Sequence, residues 1–213
     1  MNELSKRIFT SIILFLLLMS MFFFNYIFIS VLLIASTIIW IEINGLFSKI
    51  FKHNHFKIAC SILALFFIFY FFWLSINSLQ SSFTKIILQY SILVCIMSDI
   101  GGFVFGKTFK GRKLTKISPN KTISGMIGAF IFSLSLIIFY YFTNDSINLV
   151  KYTIITLIIS SSSQLGDIFI SFLKRKAKVK NTSDILPGHG GLLDRLDGII
   201  FGVPVGLNLT IIF

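Results

Sequence analysis

The residue types best suited to chemistry are concentrated in one segment, 171–197, which reads SFLKRKAKVKNTSDILPGHGGLLDRLD. Basic residues come first, a glycine-rich turn follows, and carboxylates end the segment. Gly188, Gly190 and Gly191 permit positive φ and a close backbone approach, so successive N–H groups can surround a phosphate. The order of cations, flexible backbone and carboxylates predicts a site for a metal-bound polyphosphate.

The carboxylates of this segment suit a cation. If Leu192 begins a helix, its amino end adds partial positive charge beside the glycines. Asp194 and Asp197 are three residues apart and share a helix face, as two oxygen ligands of Mg²⁺ would. Arg195 points elsewhere. The alternative is a basic cytoplasmic loop followed by a helix whose first aspartates complement its dipole, which explains the lysines better than the aspartates.

A second polar group lies inside the apolar run before this segment and contains Ser163, Gln164, Asp167 and Ser171. Asp167 stands four residues from each serine, so on a helix the three share a stripe. An ionisable residue in a membrane span is expected to face the bundle interior or a water-filled cavity. Hydrogen bonding between packed helices is the alternative, and it accounts for the serines better than for Asp167.

A third group runs from residue 98 to residue 125. Asp99 precedes glycines that allow a close approach of helices or ligand. Ser118, Lys121 and Thr122 turn the chain into the next apolar run, and they could bind a phosphate or cap a helix. For Ser118 the two roles are equally open.

These groups together resemble the phosphatidate cytidylyltransferases, also called CDP-diacylglycerol synthases. The signature is SxxKR, four residues, KD, a small residue, LPGHGG and DRxD. It matches Ser171, Leu173, Lys174, Arg175, Lys180, Ser183, Leu186, Pro187, His189, Gly190, Gly191, Asp194, Arg195 and Asp197. The SQxGD and SPxKTxEG patterns match residues 163–167 and 118–125. The chain departs from the family at Asn181, where the pattern has Asp, at Ser124 for Glu, and at Gly198 for Ser.

The resemblance implies transfer of CMP from CTP to phosphatidate, giving CDP-diacylglycerol and pyrophosphate. It implies that Asp167, Asp194 and Asp197 hold Mg²⁺, with a second cation such as K⁺ left open. The residues expected to act on phosphate charge are Lys121, Lys174, Arg175 and Arg195, and His189 would donate a proton or a hydrogen bond. The residues expected to bind substrate are Ser118, Lys121, Thr122, Ser171, Gly188, Gly190 and Gly191.

Composition bounds the fold class. The chain has 213 residues, of which 55% are hydrophobic and 13% charged, and its mean hydropathy is +0.91. These values predict an all-α polytopic membrane protein with one domain, 1–213. The family resemblance implies that spans 1–97 precede catalytic spans within 98–213. The net charge of +11 follows from basic loops and does not indicate a nucleic-acid partner. Cys60 and Cys95 lie in apolar runs and are expected to pack.

Seven apolar runs are long enough to span a membrane in one bundle. They lie near 8–24, 26–45, 58–77, 84–105, 123–142, 150–173 and 192–212, and the first two could be re-entrant because the link at Asn25 is short. This arrangement places all Lys and Arg except Lys85 and Lys151 on one side, which is therefore expected to be cytoplasmic. We expect a bacterial inner-membrane protein, with a homodimer as one open arrangement.

Three other functions stay open at this stage. A CTP-dependent polyprenol or phytol kinase would share the metal and nucleotide requirements but would transfer phosphate rather than CMP. A transporter would use Asp99 and Asp167 along an ion path, although it would spread its charges near mid-membrane. An inactive relative is suggested only by the departures at Asn181, Ser124 and Gly198.

Overall fold

The structure is a computed structural model that describes residues 3–115, 118, 121–143, 148–186 and 190–212. Within these residues the chain forms seven α-helices, and a short 3₁₀ helix, Ser78–Gln80, follows the third. The helices are α1 Glu3–Phe23, α2 Asn25–Ile50, α3 Asn54–Asn77, α4 Ser82–Phe109, α5 Ile123–Thr143, α6 Leu149–Lys176 and α7 Leu193–Ile212. Backbone pairing between segments in the described chain is limited to two isolated antiparallel bridges.

Helix length and composition confirm the membrane class. Four described segments are long and apolar enough to cross a bilayer: Asn25–Ile50, Asn54–Gln80, Ser82–Phe109 and Leu149–Lys176. Shorter apolar stretches occupy Ile12–Phe23 and Ile123–Ile138. Helices satisfy their own backbone hydrogen bonds, which a spanning segment requires. The chain is therefore an all-α integral membrane protein, and the count of seven spans stays a prediction.

Polar side chains fix where several helices begin. Ser81 accepts a hydrogen bond from the Thr84 N–H at 3.2 Å at the start of α4. Asn148 accepts one from the Lys151 N–H at 3.2 Å at the start of α6. The first N–H groups of a helix have no intrahelical partner, so such caps stabilise a helix start by about 1 kcal/mol.

The chain divides into two compact units, and each is discontinuous in sequence. The first unit comprises Met1–Leu79 and Leu173–Leu196; in it α2 packs against α1 and α3. The second comprises Gln80–Phe172 and Asp197–Phe213, with α4 packed along α5. The single-domain organisation stays a prediction.

Glycines set the contact between α4 and α5. A Cβ added at Gly101 would overlap the Gly128 carbonyl oxygen, and one at Gly125 would lie 2.8 Å from the Gly102 carbonyl oxygen. Only residues without a side chain allow two membrane helices to approach this closely. The close helix approach predicted from the glycines after Asp99 is confirmed, and it gives α4 and α5 a fixed relative position.

A second glycine stripe lies on α7 within the second unit. Gly198, Gly202 and Gly206 recur every four residues, so they share one helix face. A Cβ at Gly202 would overlap the sulfur of Cys95. Cys95 is fully buried and belongs to the core of this unit together with Val94, Tyr90, Ile155 and Ile159. The predicted packing role of Cys95 is therefore confirmed.

Candidate active site

A cavity in the second unit contains the polar residues of two predicted motifs. Its volume is about 310 Å³, near the lower end of the ~300–1,000 Å³ typical of small-molecule sites. Helices α4, α5 and α6 and the segment that joins α4 to α5 form its wall. The polar lining residues are Ser98, Asp99, Ser118, Lys121, Thr122, Gln164 and Asp167.

Lys121 and Asp167 form an ion pair at this cavity. Their side chains are 25% and 29% exposed. Ser171, one turn further along α6, donates a hydrogen bond to Asp167 Oδ1 at 3.4 Å, and Asp99 interacts electrostatically with both partners of the pair. A partly exposed pair contributes little stability, so Lys121 can exchange Asp167 for an anionic ligand at small cost.

A short backbone hairpin holds Lys121 at the cavity. Lys113 and Thr122 form an antiparallel bridge. The Leu114 N–H donates to the Lys121 carbonyl at 2.7 Å, and the Lys121 N–H donates to the Ser118 carbonyl at 3.1 Å. These bonds hold the Lys121 backbone beside the cavity, where its side chain reaches Asp167.

The structure tests one of the two open roles of Ser118, that of a cap on α5. Thr122 caps α5, because its hydroxyl accepts a hydrogen bond from the Gly125 N–H at 3.1 Å. Ser118 does not cap the helix and instead lines the cavity. Ser124, where the family pattern has Glu, donates a hydrogen bond to the carbonyl of Lys110 and so ties the start of α5 to the end of α4.

Asp197 is the most buried carboxylate among these motifs in the second unit. It is 8% exposed, its Oδ1 accepts a hydrogen bond from the Gly198 N–H at 2.9 Å, and it interacts electrostatically with Asp167 and Asp99. Gly198 leaves room for the hydroxyl of Ser163, which a Cβ at this position would overlap. The departure from the family's Ser at this position therefore has a local structural reason.

In the first unit, Asp194 is bound by four donors from the chain itself. Lys174 Nζ lies 2.6 Å from its Oδ1. Its Oδ2 accepts hydrogen bonds from the Thr182 N–H at 2.9 Å and the Thr182 hydroxyl at 3.1 Å. The Gly191 N–H donates to the same oxygen at 3.2 Å. Helix α7 begins at Leu193, one residue from the predicted start.

Glu42 was missed in the sequence analysis, although it is bound to the same segment. This α2 residue is 3% exposed and accepts hydrogen bonds from the Thr182 hydroxyl and the Leu193 N–H at 3.0 and 2.7 Å. The sequence alone could have pointed to Glu42, because an acidic residue inside an apolar span is a candidate functional residue. It was overlooked because the family resemblance begins only near residue 98.

The remaining predicted residues are placed as follows. Arg175 and Arg195 are exposed, the first near the end of α6 and the second in the first turn of α7. Gly190 has a φ of +85° and pairs with Leu186 in an antiparallel bridge. Positive φ favours glycine, as predicted for this turn. Gly188 and His189, with Pro187, lie outside the described residues.

The predicted metal ligands are carboxylates, the donors that Mg²⁺ prefers. No set of three or more His, Cys, Asp or Glu side chains in the described part of the chain is spaced as a complete metal cage. Mg²⁺ sites at phosphates rarely need one, because one or two carboxylates, waters and the phosphates complete the shell. Asp99, Asp167 and Asp197 interact electrostatically, and repulsion between such carboxylates is relieved by a cation. The carboxylates of the second unit therefore have the chemistry of Mg²⁺ ligands, and binding of the ion stays a prediction.

Comparison with known proteins agrees with the motifs. Residues 1–213 match the sequence model of the family described as "Cytidylyltransferase family". A phosphatidate cytidylyltransferase from Staphylococcus haemolyticus is 42% identical over 125 residues, which are 58% of this chain and 48% of the relative. One from Rickettsia typhi is 40% identical over 144 residues, which are 63% of this chain and 62% of the relative.

The extent of these matches differs. The match to the Staphylococcus relative spans 48% of its length, so the chain matches about half of that protein. The family match extends over every residue from 1 to 213. With the signature residues of segment 171–197 and the residues of the cavity, that match shows that the chain belongs to the cytidylyltransferase family.

Proposed function

We propose that this chain is a phosphatidate cytidylyltransferase, which transfers CMP from CTP to phosphatidate and releases pyrophosphate. The observation that carries the proposal is the Lys121–Asp167 pair at a cavity in a chain of the cytidylyltransferase family. Relatives named for this activity support the choice of phosphatidate as the acceptor. CDP-diacylglycerol is the lipid product.

The reaction exchanges one phosphoanhydride linkage for another. A phosphate oxygen of phosphatidate forms a bond to the α-phosphorus of CTP, and the bond from that phosphorus to the oxygen bridging the β-phosphorus breaks. The electron pair leaves with pyrophosphate. The phosphatidate oxygen is already ionised near neutral pH and needs no general base. The chain must therefore position two anions and offset the charge on the bridging and leaving oxygens.

The cavity residues would bind the phosphates. Lys121 would release Asp167 and pair with a phosphate oxygen, while the Ser118 and Thr122 hydroxyls donate hydrogen bonds. Asp167 and Asp197 would hold Mg²⁺. The same role is proposed for Asp194, whose ion pair with Lys174 would have to exchange for the cation. Bound Mg²⁺ would supply electrostatic stabilisation of the phosphate oxygens.

Residues of segment 171–197 would complete phosphate recognition. We assign charge stabilisation to Lys174, Arg175 and Arg195, and a hydrogen bond or proton to the leaving group to His189. Gly188, Gly190 and Gly191 would offer backbone N–H groups. The Gly191 N–H binds Asp194 here, so its contact with a phosphate would require that bond to exchange. Ser171 would orient Asp167 through the hydrogen bond between them.

The membrane orientation that we propose follows from charge. The side that holds the amino terminus and the motif loops contains all Lys and Arg except Lys85 and Lys151, and the basic side of a polytopic protein is cytoplasmic. Relatives from bacteria support the inner membrane as the location. CTP would then reach the site from the cytoplasm, where it is made.

A label-transfer assay tests the function. The protein, purified in detergent, is incubated with phosphatidate, Mg²⁺ and CTP labelled on either the α- or the γ-phosphate. We expect label in the lipid only from α-labelled CTP, and none after chelation of Mg²⁺. Lipid label from γ-labelled CTP would indicate a CTP-dependent lipid kinase instead. Absence of lipid label from both would overturn the assignment.

A further inference from the structure

Glu42 is a buried carboxylate of α2 that accepts hydrogen bonds from the segment before α7 and from the first residue of that helix. Its Oε1 accepts hydrogen bonds from the Ser183 hydroxyl and, at 3.0 Å, from the Leu192 N–H. Its Oε2 accepts from the Thr182 hydroxyl at 3.0 Å and from the Leu193 N–H at 2.7 Å. Each oxygen therefore lies within hydrogen-bond distance of two donor groups.

Two of these donors explain why an acid is needed. Leu192 and Leu193 supply the first N–H groups of α7, which have no partner within the helix. Negative charge at this end is also favoured by the helix dipole. Glu42 thus caps α7 from a position 150 residues earlier in the chain than Leu192. A carboxylate buried in a candidate membrane span would be costly without such partners.

The contacts continue from Glu42 to Asp194 through Thr182. The Thr182 hydroxyl lies 3.0 Å from Glu42 Oε2 and 3.1 Å from Asp194 Oδ2, and its single proton can serve one of them at a time. The Thr182 N–H holds Asp194 Oδ2 at 2.9 Å. A change at Glu42 would therefore be transmitted to the Asp194 carboxylate through one residue.

Gly191 fits between the same groups. A Cβ at this position would overlap the Thr182 hydroxyl and lie 2.7 Å from Glu42 Oε1. The glycine is therefore required here by the space that Glu42 and Thr182 occupy, in addition to any role toward a phosphate. Glu42, Thr182 and Gly191 form one fitted set around Asp194.

We propose that Glu42 is a positioning residue, which fixes residues 182–183 and 192–193 and, through Thr182, the orientation of the Asp194 carboxylate. Glu42 itself touches no substrate. Its effect on the backbone order of the segment is independent of the reaction, whereas its effect on turnover rests on the proposed function. The two effects are measured separately below.

The first measurement is hydrogen exchange in detergent on wild type and Glu42→Gln. The side-chain amide that this substitution introduces would direct N–H groups at Leu192 or Leu193, whose backbone N–H groups are donors themselves. We expect amide exchange in 190–196 to rise by about 10-fold, the factor for losing one buried hydrogen bond.

Thr37→Val is the matched control, since Thr37 is exposed on α2 and donates only to the carbonyl of Ile34 in its own helix. Unchanged exchange in folded Glu42→Gln would overturn the proposal.

The second measurement uses Thr182, so that the proposal remains testable if Glu42→Gln does not fold. Thr182→Val removes the hydroxyl and Thr182→Ser keeps it. We expect Thr182→Val to raise exchange as Glu42→Gln does, and Thr182→Ser to restore wild-type exchange. Equal exchange in the two Thr182 variants would contradict the link to Asp194.

The third measurement concerns turnover. We expect Glu42→Gln and Thr182→Val each to raise the Mg²⁺ concentration for half-maximal CMP transfer by about 10–100-fold, as loss of an outer partner of a metal ligand does. The double variant should be no worse than the worse single variant, because both break the same link. Asp184→Asn, an exposed acid in the same segment, controls for charge. If the two substitutions acted independently, so that their fold-changes multiplied in the double variant, the link from Glu42 through Thr182 would be overturned. Were wild type itself inactive, the proposed function would fail, and the exchange data would still decide the role of Glu42.

Discussion

Two groups of charged residues in this apolar chain differ in the partners of their charged and polar atoms. The Glu42 cluster, made of Glu42, Lys174, Thr182, Gly191 and Asp194, has its carboxylate oxygens bound by hydroxyls, backbone N–H groups and an ammonium group of the chain itself. The cavity cluster, made of Asp99, Ser118, Lys121, Thr122 and Asp167, borders about 310 Å³ of open space.

The difference separates positioning from ligand binding. Glu42 is 3% exposed, and removing one partner of a buried carboxylate leaves other groups unsatisfied, at a cost of about 1–3 kcal/mol. The Lys121–Asp167 pair is 25% and 29% exposed, and water can replace either partner. Glu42 therefore holds its cluster in place, whereas the Lys121–Asp167 pair can exchange an internal partner for a ligand.

The largest expected effect tests whether the cavity cluster depends on the glycine contact between α4 and α5. Gly128→Leu would force a side chain into Phe105 and the Gly101 carbonyl oxygen. We expect a loss of about 3 kcal/mol in the free energy of unfolding, measured by denaturant titration in detergent. Gly45→Ala is the control, because nothing lies within 4 Å of a Cβ there. If Gly128→Leu is as stable as the control, the cavity wall is not set by this contact.

The next effect compares the clusters directly. We expect Glu42→Gln to lower the free energy of unfolding by about 1–3 kcal/mol, because a buried donor faces another donor. Asp167→Asn should change it by less than about 1 kcal/mol, because its ion pair is partly exposed. Both values come from the same denaturant titration. A larger loss for Asp167→Asn than for Glu42→Gln would reverse the assignment of the two clusters.

The smallest effect concerns Gly198, where the family pattern has Ser. In the wild-type background, Gly198→Ala should not raise the free energy of unfolding, because the new Cβ overlaps the Ser163 hydroxyl. With Ser163→Ala the nearest atom of that side chain would be its Cβ, 3.5 Å away, and Gly198→Ala should then stabilise α7 by up to about 1 kcal/mol. A double-mutant cycle measures this coupling. Equal effects of Gly198→Ala in both backgrounds would refute the packing explanation.

The helices and the cavity residues could be predicted from sequence because their signals are local. The apolar runs agree with the described helices to within a few residues, although their number as membrane spans stays a prediction. The spacing around Asp167 predicted a stripe whose member Ser171 hydrogen-bonds to it. The choice between roles for Ser118 could not be made locally, since it depended on Thr122 taking the capping position.

Sequence patterns could not predict contacts between residues that are far apart in the chain. Glu42 meets Leu193 across 151 positions of the chain, and no spacing rule connects residues so far apart. The pairings of Lys174 with Asp194 and of Lys121 with Asp167 likewise depend on how helices and loops fold back. Sequence chemistry identified which residues would be charged and polar at the site, and tertiary packing decided which of them face each other.

The central claim is that the cavity cluster receives a substrate phosphate through Lys121. Its most direct test is the initial rate of α-phosphate label transfer from CTP to phosphatidate by Lys121→Met, measured with the unfolding midpoint of the same preparation. Lys113→Met is the matched control, an exposed lysine in the same hairpin. We predict a rate about 10²–10³-fold below wild type for Lys121→Met, with an unchanged unfolding midpoint and a wild-type rate for Lys113→Met. A wild-type rate for folded Lys121→Met would contradict the account.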